Sequence, residues 1–119
     1  MRTLGLLGKD LSYSFSAEYF TQKFIKERIT NTQYLNFELE NLSDFKNLIQ
    51  KFHLSGLNVT MPYKESIIPF LDELNETART IGAVNTIHFL KGKLIGYNTD
   101  YLGFMKSIKP LLNGRKKAI

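Results

Sequence analysis

The chain alternates short apolar runs with stretches whose apolar residues recur at helical spacing, and this alternation restricts its fold more than any other feature. Strands are predicted over residues 2–7, 33–39, 56–59, 84–90 and 94–97. Helices are predicted over 17–28, 45–52, 62–74, 75–81 and 100–112. Strands that alternate with helices predict an α/β fold, a three-layer sandwich with a mainly parallel mixed sheet, helices on both faces and one antiparallel strand from a hairpin.

Several side chains should fix the ends and buried faces of these helices. Phe20, Phe24 and Ile25 should face the core from the first helix. Ser43 or Asp44 should cap the second helix, because short polar side chains accept hydrogen bonds from the backbone at a helix start. Pro69 should kink the third helix, since proline lacks the N–H that a helix interior needs.

The charges are unevenly distributed along the chain. Residues 1–105 hold eleven basic and eleven acidic residues, so the net charge of +5 comes entirely from the last part of the chain. A nucleic-acid-binding domain is expected to interleave basic residues with aromatic ones, which argues against nucleic acid as a partner. The chain contains no cysteine, no apolar run of membrane-spanning length and no signal-peptide pattern. These features favour a cytoplasmic protein that does not bind membranes.

The last residues of the chain look like the beginning of another unit. Residues 116–119 have the pattern of a first half-strand, which has no use in a finished domain. We therefore expect residues 1–114 to form one domain and residues 115–119 to begin a second, truncated domain.

Four polar segments follow predicted strands, and ligands of open parallel sheets bind beyond the carboxyl ends of the strands. The first segment, 8–16, places Ser14 and Ser16 before a helix N-terminus, which favours an anion site. The alternative is that Ser16 only caps the helix. The second segment, 56–64, places Lys64 in a first helical turn, where the dipole disfavours its charged form and favours proton exchange. The alternative is a solvated lysine balanced by Glu65.

The other two segments carry an amide and a carboxylate. In segment 82–86, Asn85 offers both a donor and an acceptor, although turn formation alone could explain it. In segment 96–103, Asp100 is a catalytic candidate or a plain helix cap. His53 and His88 lack metal-ligand spacing, and no phosphate-loop pattern is present, so we expect no metal site.

Together the four segments resemble the N-terminal, substrate-binding domain of the shikimate dehydrogenase family. Residues 58–64 match the family pattern N-V-T-x-P-x-K, residues 82–86 match G-A-V-N-T, and residues 98–103 match N-T-D-x-x-G. Residues 13–17 keep both serines of H-S-x-S-P, whereas Tyr13 and Ala17 replace the histidine and the proline. The resemblance covers almost the whole chain.

The resemblance implies NADP-dependent, reversible reduction of 3-dehydroshikimate to shikimate, a step of aromatic amino-acid synthesis. It implies that a missing Rossmann domain binds most of the NADP, so residues 1–119 alone should be inactive. A homodimer is compatible with the family.

The resemblance also assigns roles to individual residues. Lys64 and Asp100 would form the catalytic pair, and Glu76 would edge the cofactor cleft. Ser14 and Ser16 would bind the carboxylate of the substrate. Its hydroxyls would be contacted by Asn58, Thr60, Asn85 and Asp100.

Two other functions remain open at this point. The substrate could be quinate instead of shikimate, which a comparison of kcat/KM values would decide. Alternatively, the chain could be a stand-alone module that binds a small hydroxy acid, and the coding sequence beyond residue 119 would separate that hypothesis from the first.

Overall fold

The computed structural model describes residues 2–11 and 15–99. The predicted helix 100–112, the candidate residues Ser14 and Asp100, and the expected domain start at 115–119 lie outside the described residues. The strands are β1 (Arg2–Gly8), β2 (Thr32–Glu38), β3 (Leu54–Val59), β4 (Glu73–Leu74), β5 (Thr86–Leu90) and β6 (Lys93–Tyr97). The helices are α1 (Ser16–Lys26), α2 (Phe45–Lys51), α3 (Tyr63–Ser66) and α4 (Glu76–Ile81).

The strands form one six-stranded sheet in the order β2-β1-β3-β5-β6-β4. β5 is antiparallel to both of its neighbours, and all other pairings are parallel. The predicted mainly parallel sheet with one antiparallel strand is therefore confirmed. The β5–β6 hairpin turns at Lys91 and Gly92, with φ angles of 52° and 81°. Positive φ at both central residues matches the twist of a two-residue hairpin.

The two faces of the sheet bury separate cores, as the predicted three-layer sandwich requires. Leu6 and Leu7 are successive residues of β1, so their side chains point to opposite faces. Leu6 packs with Phe20 and Phe24 of α1. Leu7 belongs to the larger core, to which the other helices contribute Phe45, Tyr63 and Ala78. Within residues 2–11 and 15–99, no helix has the length and apolarity to cross a membrane.

The predicted third helix, 62–74, is wrong in its length. The structure has only the four-residue α3, a 3-10 turn at Ile68–Phe70 and the short strand β4. Pro69 cannot donate an intrahelical hydrogen bond, and its ring clashes with the preceding turn, so the helix ends instead of kinking. Asp72 then pairs with β6, because its backbone N–H donates to the carbonyl of Leu94 at 2.8 Å.

Two predictions about α1 and α2 are also wrong. Ile25 is 67% exposed, because it lies about 100° around the helix from Phe24 and so leaves the buried face. Neither Ser43 nor Asp44 caps a helix through its side chain. Asn41 does so instead, since its Oδ1 accepts a hydrogen bond from the backbone N–H of Ser43 at 2.9 Å.

Candidate functional site

A cavity of about 500 Å³ opens at the edge of the sheet where the parallel strands end. β3 ends here at Val59 and β6 at Tyr97, while the antiparallel β5 begins here at Thr86. The cavity is lined by Phe15, Ser16, Tyr19, Phe20, Asn58, Val59, Asn85 and Thr99. The structure therefore brings together three of the predicted site residues, namely Ser16, Asn58 and Asn85, at the expected edge.

Ser16 forms the first wall of the cavity, at the beginning of α1. The cap position belongs to Phe15, and no side-chain cap is formed, so the interpretation of Ser16 as a helix cap is wrong. The side chain of Ser16 is instead hydrogen-bonded to the hydroxyl of Tyr34. Phe15 is 75% exposed and forms an apolar rim beside Ser16.

Asn58 forms the second wall, from within β3. Its Nδ2 donates to the hydroxyl of Tyr34 at 2.8 Å. Burial raises the pKa of Tyr34 well above its ordinary value, and the hydrogen bonds with Asn58 and Ser16 act in the opposite direction. The phenol is therefore neutral near pH 7. Sequence reasoning missed Tyr34, because nothing in a strand pattern shows that a hydroxyl reaches side chains on other elements.

Asn85 and Thr99 form the third wall, where two segments of the chain are joined. The Nδ2 of Asn85 donates to the carbonyl of Thr99, and the backbone N–H of Thr99 donates to Oδ1 of Asn85 at 2.8 Å. The neighbouring Asn98 donates from Nδ2 to the carbonyl of Ala83 at 3.1 Å. The amide of Asn85 thus holds the backbone immediately before Asp100.

Lys64 and Thr60 lie near this wall but do not line the cavity. Thr60 directly follows β3, and its backbone N–H donates to the carbonyl of Leu7 at 2.9 Å. Lys64 has an exposed side chain, and its carbonyl accepts a hydrogen bond from the N–H of Val84 at 2.7 Å. Its main chain is therefore bound next to Asn85.

The local geometry around Lys64 differs from the predicted helix start. Pro62 occupies the cap position, not the first helical position, and α3 is a single turn. So short a helix aligns few peptide dipoles, which weakens the argument that a helix dipole disfavours the charged form of Lys64.

Glu76 is the first residue of α4, is exposed and is not among the residues that line the cavity. Asn75 caps this helix, because its Oδ1 accepts from the N–H of Ala78 at 2.9 Å. In the part of the chain that the structure describes, no three His, Cys, Asp or Glu side chains are grouped so that they could hold a metal ion.

His88 is a partly buried histidine on β5 whose Nε2 has no hydrogen-bond partner among residues 2–11 and 15–99. Burial lowers its pKa below the ordinary value of 6.5. The unfolded chain therefore binds a proton more readily than the folded chain does. His88 contributes stability above pH 6.5 that is lost as the pH falls below it.

This shift predicts a pH-dependent stability that the variant His88→Gln should reduce. In the wild type, the free energy of unfolding should decrease as the pH is lowered from about 7 to about 5. In His88→Gln, the decrease over the same range should be smaller, because the titrating group is removed. Urea unfolding of the full-length protein at several pH values measures both slopes, and equal slopes would contradict the prediction.

The chain is similar to known proteins in its sequence and its fold. Residues 6–87 match the family model described as the shikimate dehydrogenase substrate binding domain. The chain is 42% identical over 110 residues to the shikimate dehydrogenase (NADP(+)) of Clostridium botulinum strain Hall. This alignment covers 92% of the chain and 43% of the relative. The chain therefore spans about two fifths of the length of that relative.

Solved structures agree with this match. Shikimate dehydrogenase 1 from Peptoclostridium difficile superimposes with a TM-score of 0.77 at 40% identity, covering 92% of this chain and 41% of that one. Shikimate 5-dehydrogenase from Listeria monocytogenes, in complex with shikimate and NAD, has a TM-score of 0.75 at 33% identity. That match covers 98% of this chain and 40% of the other.

Proposed function

The chain belongs to the shikimate dehydrogenase family through its substrate-binding domain, and we propose that it is the substrate-binding half of an enzyme that reversibly reduces 3-dehydroshikimate to shikimate with NADPH. One observation carries the proposal. Ser16, Asn58 and Asn85, which come from three separate parts of the chain, line a single cavity at the carboxyl ends of the parallel strands. This is the edge at which ligands bind in open α/β sheets.

The walls of the cavity suit a small ring that carries hydroxyls and a carboxylate. The described lining residues include no charged side chain, and they combine amides and hydroxyls with the aromatic rings of Phe15, Tyr19 and Phe20. The positive end of the α1 dipole lies at Ser16, which favours a carboxylate there. In this proposal Ser14 and Ser16 hold the carboxylate, while Asn58, Thr60 and Asn85 contact ring hydroxyls.

Lys64 and Asp100 are the proposed catalytic pair. During reduction, the ammonium of Lys64 donates a proton to the oxygen at C3 of the substrate, and the neutral amine takes a proton back during oxidation. Asp100 orients the lysine and contacts a ring hydroxyl. The support is a continuous path of hydrogen bonds. The N–H of Val84 donates to the carbonyl of Lys64, and the side-chain amide of the next residue, Asn85, binds the backbone of Thr99.

The cofactor is proposed to be held mainly by a dinucleotide-binding domain that starts near residue 115, after a substrate domain formed by residues 1–114. When bound, NADP supplies or accepts the hydride. The chain contributes no glycine-rich phosphate loop, and its proposed contribution to the cofactor cleft is Glu76. We also expect a cytoplasmic protein, compatible with a homodimer, with no nucleic acid or membrane as partner.

Steady-state kinetics test this function in the full-length protein. We expect NADP-dependent oxidation of shikimate, a lower kcat/KM for quinate, and no turnover by residues 1–119 alone. Hydride transfer by the isolated residues 1–119 would contradict the division of roles. Shikimate binding without turnover in the full-length protein would instead favour a hydroxy-acid-binding module.

A further inference from the structure

Tyr34 lies behind the wall of the cavity and is 3% exposed. It is not among the lining residues, so a ligand in the cavity would not touch it. Its ring stacks on that of Phe20, with centroids 4.4 Å apart and planes 20° apart. Such close packing restricts the movement of the ring and therefore of its hydroxyl.

The hydroxyl of Tyr34 meets Asn58 across an intervening strand. Tyr34 pairs with Leu4 of β1, and Asn58 pairs with Leu6 of the same strand, so β1 separates them. Two strand spacings amount to roughly 10 Å, a gap that the tyrosine and asparagine side chains can bridge together. The bond from Asn58 Nδ2 to the Tyr34 hydroxyl, 2.8 Å long, closes it.

This bond determines which end of the Asn58 amide remains for a ligand. Because Nδ2 is directed at Tyr34, Oδ1 points away from it, and among the described residues Oδ1 has no hydrogen-bond partner. A flipped amide would place Oδ1 against Tyr34 and would need the hydroxyl as donor. In the arrangement that the structure shows, the hydroxyl accepts from Nδ2.

We propose that Tyr34 is a positioning residue that keeps Asn58 oriented with Oδ1 as an acceptor toward the cavity. The pocket then selects a ligand group that can donate a hydrogen bond, a hydroxyl, over one that can only accept, such as a carbonyl or an ether oxygen. The inference rests on the proposed function, because it assumes that a polyhydroxy acid occupies the cavity. The phenol is neutral near pH 7, so this selection does not change with pH there.

The first test is the variant Tyr34→Phe in the full-length protein. Loss of the hydroxyl frees the amide of Asn58 to rotate, and we expect the KM for shikimate to rise about five- to tenfold with kcat changed less than about twofold. In an Asn58→Ala background the same substitution should leave KM nearly unchanged. That coupling is the signature of action through Asn58, since a merely structural role would lower stability equally in both backgrounds.

Tyr63→Phe is the matched control. Tyr63 is also buried, and its hydroxyl donates to the carbonyl of Leu39, but its ring belongs to the core on the other face of the sheet. This variant should lose stability without raising the KM for shikimate. An equal rise in KM, or a Tyr34→Phe effect that persists in Asn58→Ala, would overturn the inference.

Analogues of shikimate test the same orientation without altering Tyr34. Among analogues that lack one hydroxyl at a time, one should lose about five- to tenfold in affinity for the wild type but not for Asn58→Ala. A ketone at that position should bind no better than the deoxy compound, and a ketone that binds as well as the hydroxyl would overturn the inference. If the wild type turns over shikimate but one of these contrary results is found, only the role of Tyr34 is rejected. If the wild type does not turn over shikimate, the proposed function itself is rejected.

Discussion

Replacement of Lys64 by alanine should lower the kcat of the full-length protein for shikimate by about two to four orders of magnitude. The reason is that no other group would exchange a proton with the C3 oxygen while the hydride moves. KM should change much less, because the cavity walls that hold the ring are unaltered. Asp100→Ala should also lower kcat, because Lys64 then loses the carboxylate that orients it.

The structure makes Lys64→Ala a clean test. The side chain is exposed, and the contact of residue 64 with Val84 uses its backbone carbonyl, so the fold should tolerate the substitution. Lys46→Ala, which removes an exposed lysine from α2, is the matched control and should leave kcat unchanged. Steady-state kinetics together with thermal unfolding separate the two effects, and normal turnover by Lys64→Ala would refute its catalytic role.

Replacement of Asn85 by alanine should be the second most damaging change, lowering kcat by about one to two orders of magnitude. The amide of Asn85 holds both the N–H and the carbonyl of Thr99, directly before Asp100. Without it, these two backbone groups lose their partners, which should also cost about 1–3 kcal/mol of stability. A small displacement of a catalytic group is enough for such a loss in rate.

Asn41→Ala is the matched control for Asn85→Ala. Asn41 also binds backbone through its Oδ1, but it caps the 3-10 turn Leu42–Asp44, which precedes α2, and it does not line the cavity. We expect it to lose about 1 kcal/mol of stability with kcat unchanged. If Asn85→Ala had the same profile as this control, the amide would serve the fold alone.

The sequence was sufficient to predict five of the six strands and their mainly parallel arrangement, because buried strands and amphipathic helices have different periods. It failed where the local pattern is ambiguous. The spacing of Ile67, Ile68, Leu71 and Leu74 fits one helical face, yet two-residue β4 lies within that run. Pairing with β6 determines that strand, and such pairing depends on residues far away in the chain.

The residues of the candidate site could likewise be predicted only in part. Ser16, Asn58 and Asn85 could be placed at one edge, because each lies at a strand end or a helix start. Their partners could not be predicted. Asn58 meets Tyr34 across another strand, and Asn85 holds a backbone fourteen residues away, so both contacts depend on the register of the finished sheet.

The reversed direction of β5 has a practical consequence for labelling this protein. β5 and β6 both have an end at the cavity, so the tight turn between them, at Lys91 and Gly92, must lie at the far side of the sheet. Five residues of extended chain separate the two sites by roughly 17 Å. A fluorophore or a short affinity tag attached at this exposed tip would therefore report on the domain without obstructing the ligand.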